Sequence, residues 1–311
     1  MENSLQKLKK APGDYSGFAV IGGSGAYDLS LECIGEIGGE LTLDTPFDKA
    51  SPVVFLRPAG CRGTIAFLSR HGTSGYQRTA SDVNYRANIW ALKEAGTTRI
   101  LSWSGPGAID TRFSPGDYVL PDDLLDLTRN RPSTFFSGSG LGFIRQNPVF
   151  CPTLRKVLNG VLQKTGVPYH DRAVYAVTEG PRLETPAEVR MLGRLGGELV
   201  GMTLAPEAFL ARELEICYHP CCYITNWAEG VKELPYRPGE LFEGMLEEKL
   251  RSRVAAAVEG FTGLVQRSAQ ELEASEIKDH DCPCAQAMLR YRRSGRIGPD
   301  WHTWIQPGKP A

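Results

Sequence analysis

Six short clusters of Ser, Thr, Arg, His, Glu or Asn, most of them with glycine, interrupt this chain, each where an apolar run ends. In Val20-Ile21-Gly22-Gly23-Ser24-Gly25 the glycines allow a sharp turn that aims backbone N–H groups and the Ser24 hydroxyl at an anion. A dinucleotide-binding fingerprint needs a further glycine three residues on, where Asp28 or Leu29 stands, so a dehydrogenase is disfavoured. Phe67-Leu68-Ser69-Arg70-His71-Gly72 pairs a planar fork of donors with a switchable one, a combination suited to phosphate. The remaining clusters are Leu101–Ile109, with Ser104 and Gly105, then Glu179–Thr185, Val200–Glu207 and Tyr223–Trp227. Taken singly, each is also compatible with a tight turn, a bulge, or a surface arginine beside a partly buried histidine. Jointly they place polar groups where open α/β sheets bind ligands.

The elements that must carry them are legible. Gly17–Ile21, Val53–Leu56, Thr64–Leu68, Arg99–Trp103, Tyr118–Leu120, Ala173–Val177, Leu199–Met202 and Cys221–Thr225 are short apolar runs suited to strands buried on both faces. Helical spacing appears over Val83–Ala95, Pro152–Lys164, Thr185–Leu195, Pro206–Glu215 and Glu240–Ala274. Thr185-Pro186-Ala187-Glu188 reads as an N-cap, a first-turn proline and a capping-box glutamate. The pattern predicts a single α/β domain with a twisted mixed sheet flanked by helices. Residues 1–16 read as a mobile leader, 17–274 as the domain, and 275–311, poor in aliphatics, as a C-terminal tail.

Composition closes off other classes. Hydrophobic residues make up 41% of 311 and the net charge is −1, which is ordinary for a globular chain and gives no general attraction to nucleic acid or membrane. The apolar runs fall short of a bilayer span, and the first ten residues lack the apolar core of a signal peptide, so a cytoplasmic location is expected. Eight cysteines are too few for a secreted disulfide scaffold.

Asp44-Thr45-Pro46-Phe47, Arg70-His71-Gly72, the helix Val83–Lys93, Glu179-Gly180-Pro181-Arg182, Gly201-Met202-Thr203 and Pro206-Glu207 resemble, in family order, the trimeric purine nucleoside phosphorylases. Within that family the 5′-methylthioadenosine and 5′-methylthioinosine phosphorylases look nearest, and the likeness spans roughly residues 17–265. It implies a homotrimeric, cytoplasmic phosphorylase with no cofactor beyond inorganic phosphate as co-substrate. It further implies phosphate binding by Ser24, Arg70, His71, Ser104 and Thr203, ribose packing on Met202, and a base pocket of Gly105, Leu183, Glu184, Asn226 and Ala228. Asn226, Glu184 and His71 are the expected catalytic residues.

The base-reading positions carry a chemical argument. Adenine-cleaving members resembling this chain hold carboxylic acids at the Asn226 and Ala228 positions and a serine at the Glu184 position. Here an amide at 226 can donate to a 6-oxo group, and the Glu184 carboxylate can accept the N1–H that hypoxanthine and guanine carry and adenine lacks. Both favour a 6-oxopurine nucleoside such as inosine, guanosine or 5′-methylthioinosine. The 5′ end departs from the methylthio pattern: Thr73–Arg78 holds no histidine, and Val231–Phe242 carries Tyr236 and Arg237, read either as a solvated loop or as contacts to a larger or polar 5′ group. Cys221 and Cys222 read as core. Cys282-Pro283-Cys284 either closes a disulfide, as the Cys-x-Cys tails of some thermophilic relatives do, or supplies half of a zinc site; no metal is expected. The alternatives are a 5′-methylthioadenosine phosphorylase, a nucleosidase of the same fold, and a nucleoside-binding regulatory protein.

Overall fold

Alternation along the first strand sets the layers. In β1 (Tyr15–Gly22), Phe18 and Val20 enter one hydrophobic cluster while Ala19 and Ile21 enter another on the opposite face. The computed structural model describes residues 5–27, 29–73, 76–233, 238–275 and 282–305. β1 lies centrally in an eight-stranded mixed sheet with β2 (Gly35–Leu41), β3 (Val53–Pro58), β4 (Thr64–Ser69), β5 (Arg99–Ser104), β7 (Tyr118–Val119), β9 (Tyr169–His170) and β12 (Cys217–Tyr223), in the order β9-β7-β12-β5-β1-β4-β3-β2. β6 (Gly107–Ala108), β8 (Asp123–Asp126), β10 (Val174–Val177), β11 (Leu199–Gly201) and β13 (Asn226–Trp227) form a second sheet in the order β8-β10-β11-β6-β13.

Helices α1 (Tyr85–Glu94) and α4 (Leu204–Glu213) cover one face of the large sheet through Ile89, Leu92, Leu204, Ala208 and Leu210. On the other face lie α2 (Pro152–Gln163) and α5 (Glu248–Ala274), through Leu154, Leu158, Val161, Phe261 and Leu264. The capping box of α3 (Pro186–Arg194) is formed: Glu188 N–H donates to Thr185 Oγ1 at 3.2 Å and Thr185 N–H to the Glu188 carboxylate at 2.8 Å. Among the described residues no helix is long and apolar enough to cross a membrane.

Several expectations change, among them the start of the last long helix, which begins at Glu248 and not at Glu240. β2 is absent from the predicted strands, because Gly35-Glu36-Ile37-Gly38-Gly39-Glu40-Leu41 holds three glycines and a single β-former, Ile37; its antiparallel pairing with β3 overrides that weak propensity. β12 begins at Cys217, earlier than the pattern predicts, because His219 and Pro220 break the apolar run yet lie fully within the sheet. Residues 5–16 are not a free leader. Leu8 and Glu40 are joined by a 2.7 Å backbone hydrogen bond, Glu40 N–H donates to Gln6, and Tyr15–Ser16 already belong to β1.

The segment after α5 packs into the cores that precede it. Met288, Tyr291, Trp304 and Ile305 join the cluster under α1 and α4, and Cys282 and Cys284 join the one under α2 and α5. Arg292 clasps Glu215 with two hydrogen bonds of 2.7 and 2.9 Å. The end of α5 at Ala274 is therefore a boundary between elements and not between cores.

Candidate active site

The four central strands of the large sheet, β4, β1, β5 and β12, run parallel, so their carboxyl ends emerge side by side. The chain leaves them as Gly23–Gly25, Arg70–His71, Ser104–Gly105 and Tyr223–Asn226. β10 and β11 of the second sheet are likewise parallel and deliver Thr178–Glu184 and Met202–Thr203. These ends enclose a cavity of about 560 Å³, within the range for small-molecule sites. Ser24, Arg70, His71, Ser104, Gly105, Leu183, Glu184, Met202, Thr203, Asn226 and Ala228 all line it. The fold thus brings together every candidate residue, from segments up to 204 positions apart (228 − 24). Tyr236 and Arg237 lie outside the described residues.

Arg70 is wholly buried. Its Nε and Nη2 donate to the two oxygens of Glu207 at 2.7 and 2.9 Å, Nη2 also meets Ser102 Oγ at 2.7 Å, and Nη1 reaches the Trp103 carbonyl at 3.3 Å. Ser102 and Tyr218 hydroxyls donate to the same carboxylate at 2.9 and 2.7 Å. Burial opposes the Arg70 charge, but the Glu207 charge and its hydrogen bonds offset it, so the guanidinium stays protonated. Gly23 is obligatory here: a Cβ would sit 2.6 Å from the Trp103 carbonyl oxygen and 3.2 Å from Arg70 Nη1. A Cβ on Gly25 would overlap the Tyr223 hydroxyl at 2.2 Å.

Ser104 Oγ lies 3.1 Å from the Tyr175 hydroxyl and 3.2 Å from Thr203 Oγ1, a buried hydroxyl cluster beside Arg70. His71 stacks on Tyr76 at 4.4 Å, and its Nδ1 is 2.9 Å from the Arg78 carbonyl. A carbonyl only accepts, so Nδ1 carries the proton and Nε2 a lone pair. Burial, and then the Arg70 charge, lower the His71 pKa to about 4, so the ring is neutral at physiological pH. A neutral His71 meets an anion as an acceptor of its proton. It donates only after an incoming charge has drawn a proton to Nε2.

At the other end of the cavity, Thr178 Oγ1 donates to Glu184 Oε1; the Glu184 Oε2 has no hydrogen-bond partner among the described residues. The Asn226 amide is held at both ends: Oδ1 accepts from Thr225 Oγ1 at 2.6 Å and Nδ2 donates to the Trp227 carbonyl at 2.7 Å. One Nδ2 hydrogen remains for a ligand. Arg131 ties the floor together through the carbonyls of Met202, Ala205, Thr178 and Glu179, at 2.5–3.2 Å.

Sequence reading assigned no role to Glu207, Ser102, Tyr175, Tyr76 or Arg131. Glu207 had a signal, a carboxylate just after Pro206 in an apolar helix, where a buried charge requires a partner. Arg131 had none, since it sits in an irregular stretch with no periodicity.

Two buried histidines predict a pH dependence of stability. His219 is fully enclosed and burial lowers its pKa to about 3. With His71 near 4, the unfolded chain binds two more protons as pH falls below about 6.5, so stability present above that pH is lost on acidification. Glu213 acts oppositely: burial lifts it to about 7 despite hydrogen bonds from Thr134 and Phe135, so its contribution is lost as pH rises from 4.5 to 7. The net slope between pH 6.5 and 4.5 is about one proton, or about 1.4 kcal/mol per pH unit. Urea unfolding across that window should show it, and His71→Asn should nearly flatten it. Stability rising on acidification of the unmodified chain would contradict the assignment.

A family model described as the phosphorylase superfamily matches residues 18–261. A probable S-methyl-5′-thioinosine phosphorylase of Methanothermobacter thermautotrophicus is 38% identical over 269 residues, covering 86% of this chain and 88% of that protein. The 6-oxopurine nucleoside phosphorylase of Pyrococcus furiosus is 41% identical over 236 residues, 73% of this chain and 85% of that one. Among solved structures, a methylthioadenosine phosphorylase sourced from an antarctic soil metagenomic library has a TM-score of 0.76 at 27% identity, over 89% of this chain and 92% of that chain. By these matches, and by a cavity at the carboxyl ends of its strands, the chain belongs to the phosphorylase superfamily and is an enzyme of the purine nucleoside phosphorylase type.

Proposed function

We propose that the substrate is a 6-oxopurine nucleoside, cleaved by inorganic phosphate to the free base and a ribose 1-phosphate, unmodified or 5-substituted. The observation that carries this reading is the pairing of Glu184 and Asn226 in one cavity, an acceptor for N1–H and an anchored amide N–H for the 6-oxygen or N7. Phosphate sits among Arg70, His71, Ser24, Ser104 and Thr203. One of its oxygens attacks the anomeric carbon, the C1′–N9 bond breaks, and the electron pair passes into the purine. The free Asn226 N–H stabilises that charge, Glu184 orients the ring by accepting from N1–H, and a proton from water completes the free base. Positioning and fixed dipoles supply the catalysis, and no cofactor takes part. Relatives named for 6-oxopurine nucleosides and for methylthioinosine support the base assignment.

The working unit is a homotrimer. Tyr76 and Leu241, 57% and 60% exposed in the single chain, line the cavity, and a neighbouring subunit would cover such apolar surface. Light scattering at micromolar concentration tests the assembly. Inosine, guanosine, adenosine and their 5′-methylthio forms, each with and without phosphate, test the reaction. Phosphate-dependent cleavage of hypoxanthine or guanine nucleosides is expected. Turnover without phosphate indicates a nucleosidase, and binding without turnover a regulatory protein.

A further inference from the structure

Four cysteines distant in sequence meet at the amino end of β12, away from the catalytic cavity. Cys151 caps α2, Cys217 opens β12, and Cys282 and Cys284 flank Pro283 in the tail. All four are buried, at 1–7% exposure, and their Sγ atoms lie within 4.8 Å of one another. Cys217 and Cys282 Sγ are 3.0 Å apart, and all eight cysteines of the chain are unbridged. A tetrahedral ion bound at about 2.3 Å by four thiolates needs sulfurs about 3.8 Å apart, so these distances bracket such a site.

We propose that Cys151, Cys217, Cys282 and Cys284 form a tetrahedral thiolate site for one zinc ion, which fastens the C-terminal segment to the sheet. Binding replaces four thiol protons by one Zn²⁺ and leaves a net charge of −2, with no oxidant required. The surroundings offset that charge. The Leu154 N–H at the start of the twelve-residue helix α2 donates to Cys151 Sγ at 3.4 Å. Arg99 borders the same small internal space of about 10 Å³ as Cys151, Cys217 and Cys282. Four sulfurs and no open position describe a structural ion, not a catalytic one. Counting only Cys282 and Cys284 gives half a site; the fold supplies the other half.

Metal analysis of the full chain, isolated under reducing conditions, should find about one zinc per subunit. Cobalt substitution should give thiolate-to-cobalt charge-transfer absorbance with the ligand-field bands of a tetrahedral S₄ site. Cys284→Ser should lower zinc content at least about tenfold and the melting temperature measurably, with kcat within about twofold of the parent. Cys33→Ser, at an exposed cysteine outside the cluster, should retain the metal. The unmodified chain decides the matter even where a variant fails to fold. Less than about 0.1 metal per subunit, with the four sulfurs either free or joined as two disulfides by mass spectrometry, overturns the site. So does cobalt binding without sulfur charge transfer.

Discussion

Arg70→Ala is expected to reduce phosphorolysis about a thousandfold or more and to weaken the fold by about 3–5 kcal/mol. Two consequences of one geometry are involved. The guanidinium lines the same cavity as the hydroxyl cluster of Ser104 and Thr203, so its loss removes a fixed positive charge from the site proposed for phosphate. It also leaves Glu207, 2% exposed, as an uncompensated buried carboxylate facing Ser102 and Tyr218. The loss in phosphate use should far exceed that in nucleoside use. The double change Arg70→Met with Glu207→Leu separates the two effects, because replacing a buried ion pair by apolar side chains is often neutral. It should recover most of the stability and none of the activity. Urea unfolding and phosphate saturation kinetics on both variants give the answer. A double variant that regains phosphate-dependent turnover would show that Arg70 is only a structural partner of Glu207.

The second large effect concerns the base. Glu184→Gln keeps an acceptor for Thr178 but presents an amide N–H to the purine N1–H, donor against donor. Activity on hypoxanthine and guanine nucleosides should fall about ten- to a hundredfold, the cost of about 1–3 kcal/mol for an unpaired buried polar group. Asn226→Asp with Ala228→Asp should lower it further. At 226 a carboxylate oxygen would face the Trp227 carbonyl that the amide now satisfies. At 228, 6% exposed, a carboxyl would enter a cluster with Val189, Leu192 and Val200. Both settings raise a carboxyl pKa and favour its protonated form, the donor an adenine N7 requires. Adenine activity should rise less than oxopurine activity falls, since Glu184 still finds no proton on N1. Competition by free hypoxanthine, guanine and adenine checks the starting point. Adenine as the tightest of the three in the unmodified chain would refute the base assignment.

Much of the lining of the candidate cavity was legible because its residues sit at strand ends. Arg70-His71, Ser104-Gly105 and Thr225-Asn226 each follow an apolar run short enough to be one strand, and parallel strands place such ends on one edge. The capping box of α3 was legible for a similar reason: its hydrogen bonds close within four residues. The polar groups that hold the site in place were not. Glu207 lies 137 positions from Arg70, Tyr175 lies 71 from Ser104, and Arg131 meets carbonyls from two separate segments, 178–179 and 202–205.

The sequence by itself determined the strand and helix patterning, the run of polar strand ends, and the chemistry available at each, because those depend on neighbours a few residues apart. Tertiary structure decided which groups pair. Only the fold shows that Arg70 is half of a buried ion pair, that the Arg78 carbonyl fixes the proton of His71 on Nδ1, and that Asn226 has one N–H left to offer. It also decided the fate of the tail. Residues 282–305 look polar and detachable when read by composition, yet Met288 is wholly buried and Cys282 and Cys284 meet Cys151 and Cys217. The physical reason is common to all of these: hydrogen bonds, ion pairs and thiol clusters are fixed by distance in space, and linear spacing encodes that distance only within a turn or along a single strand.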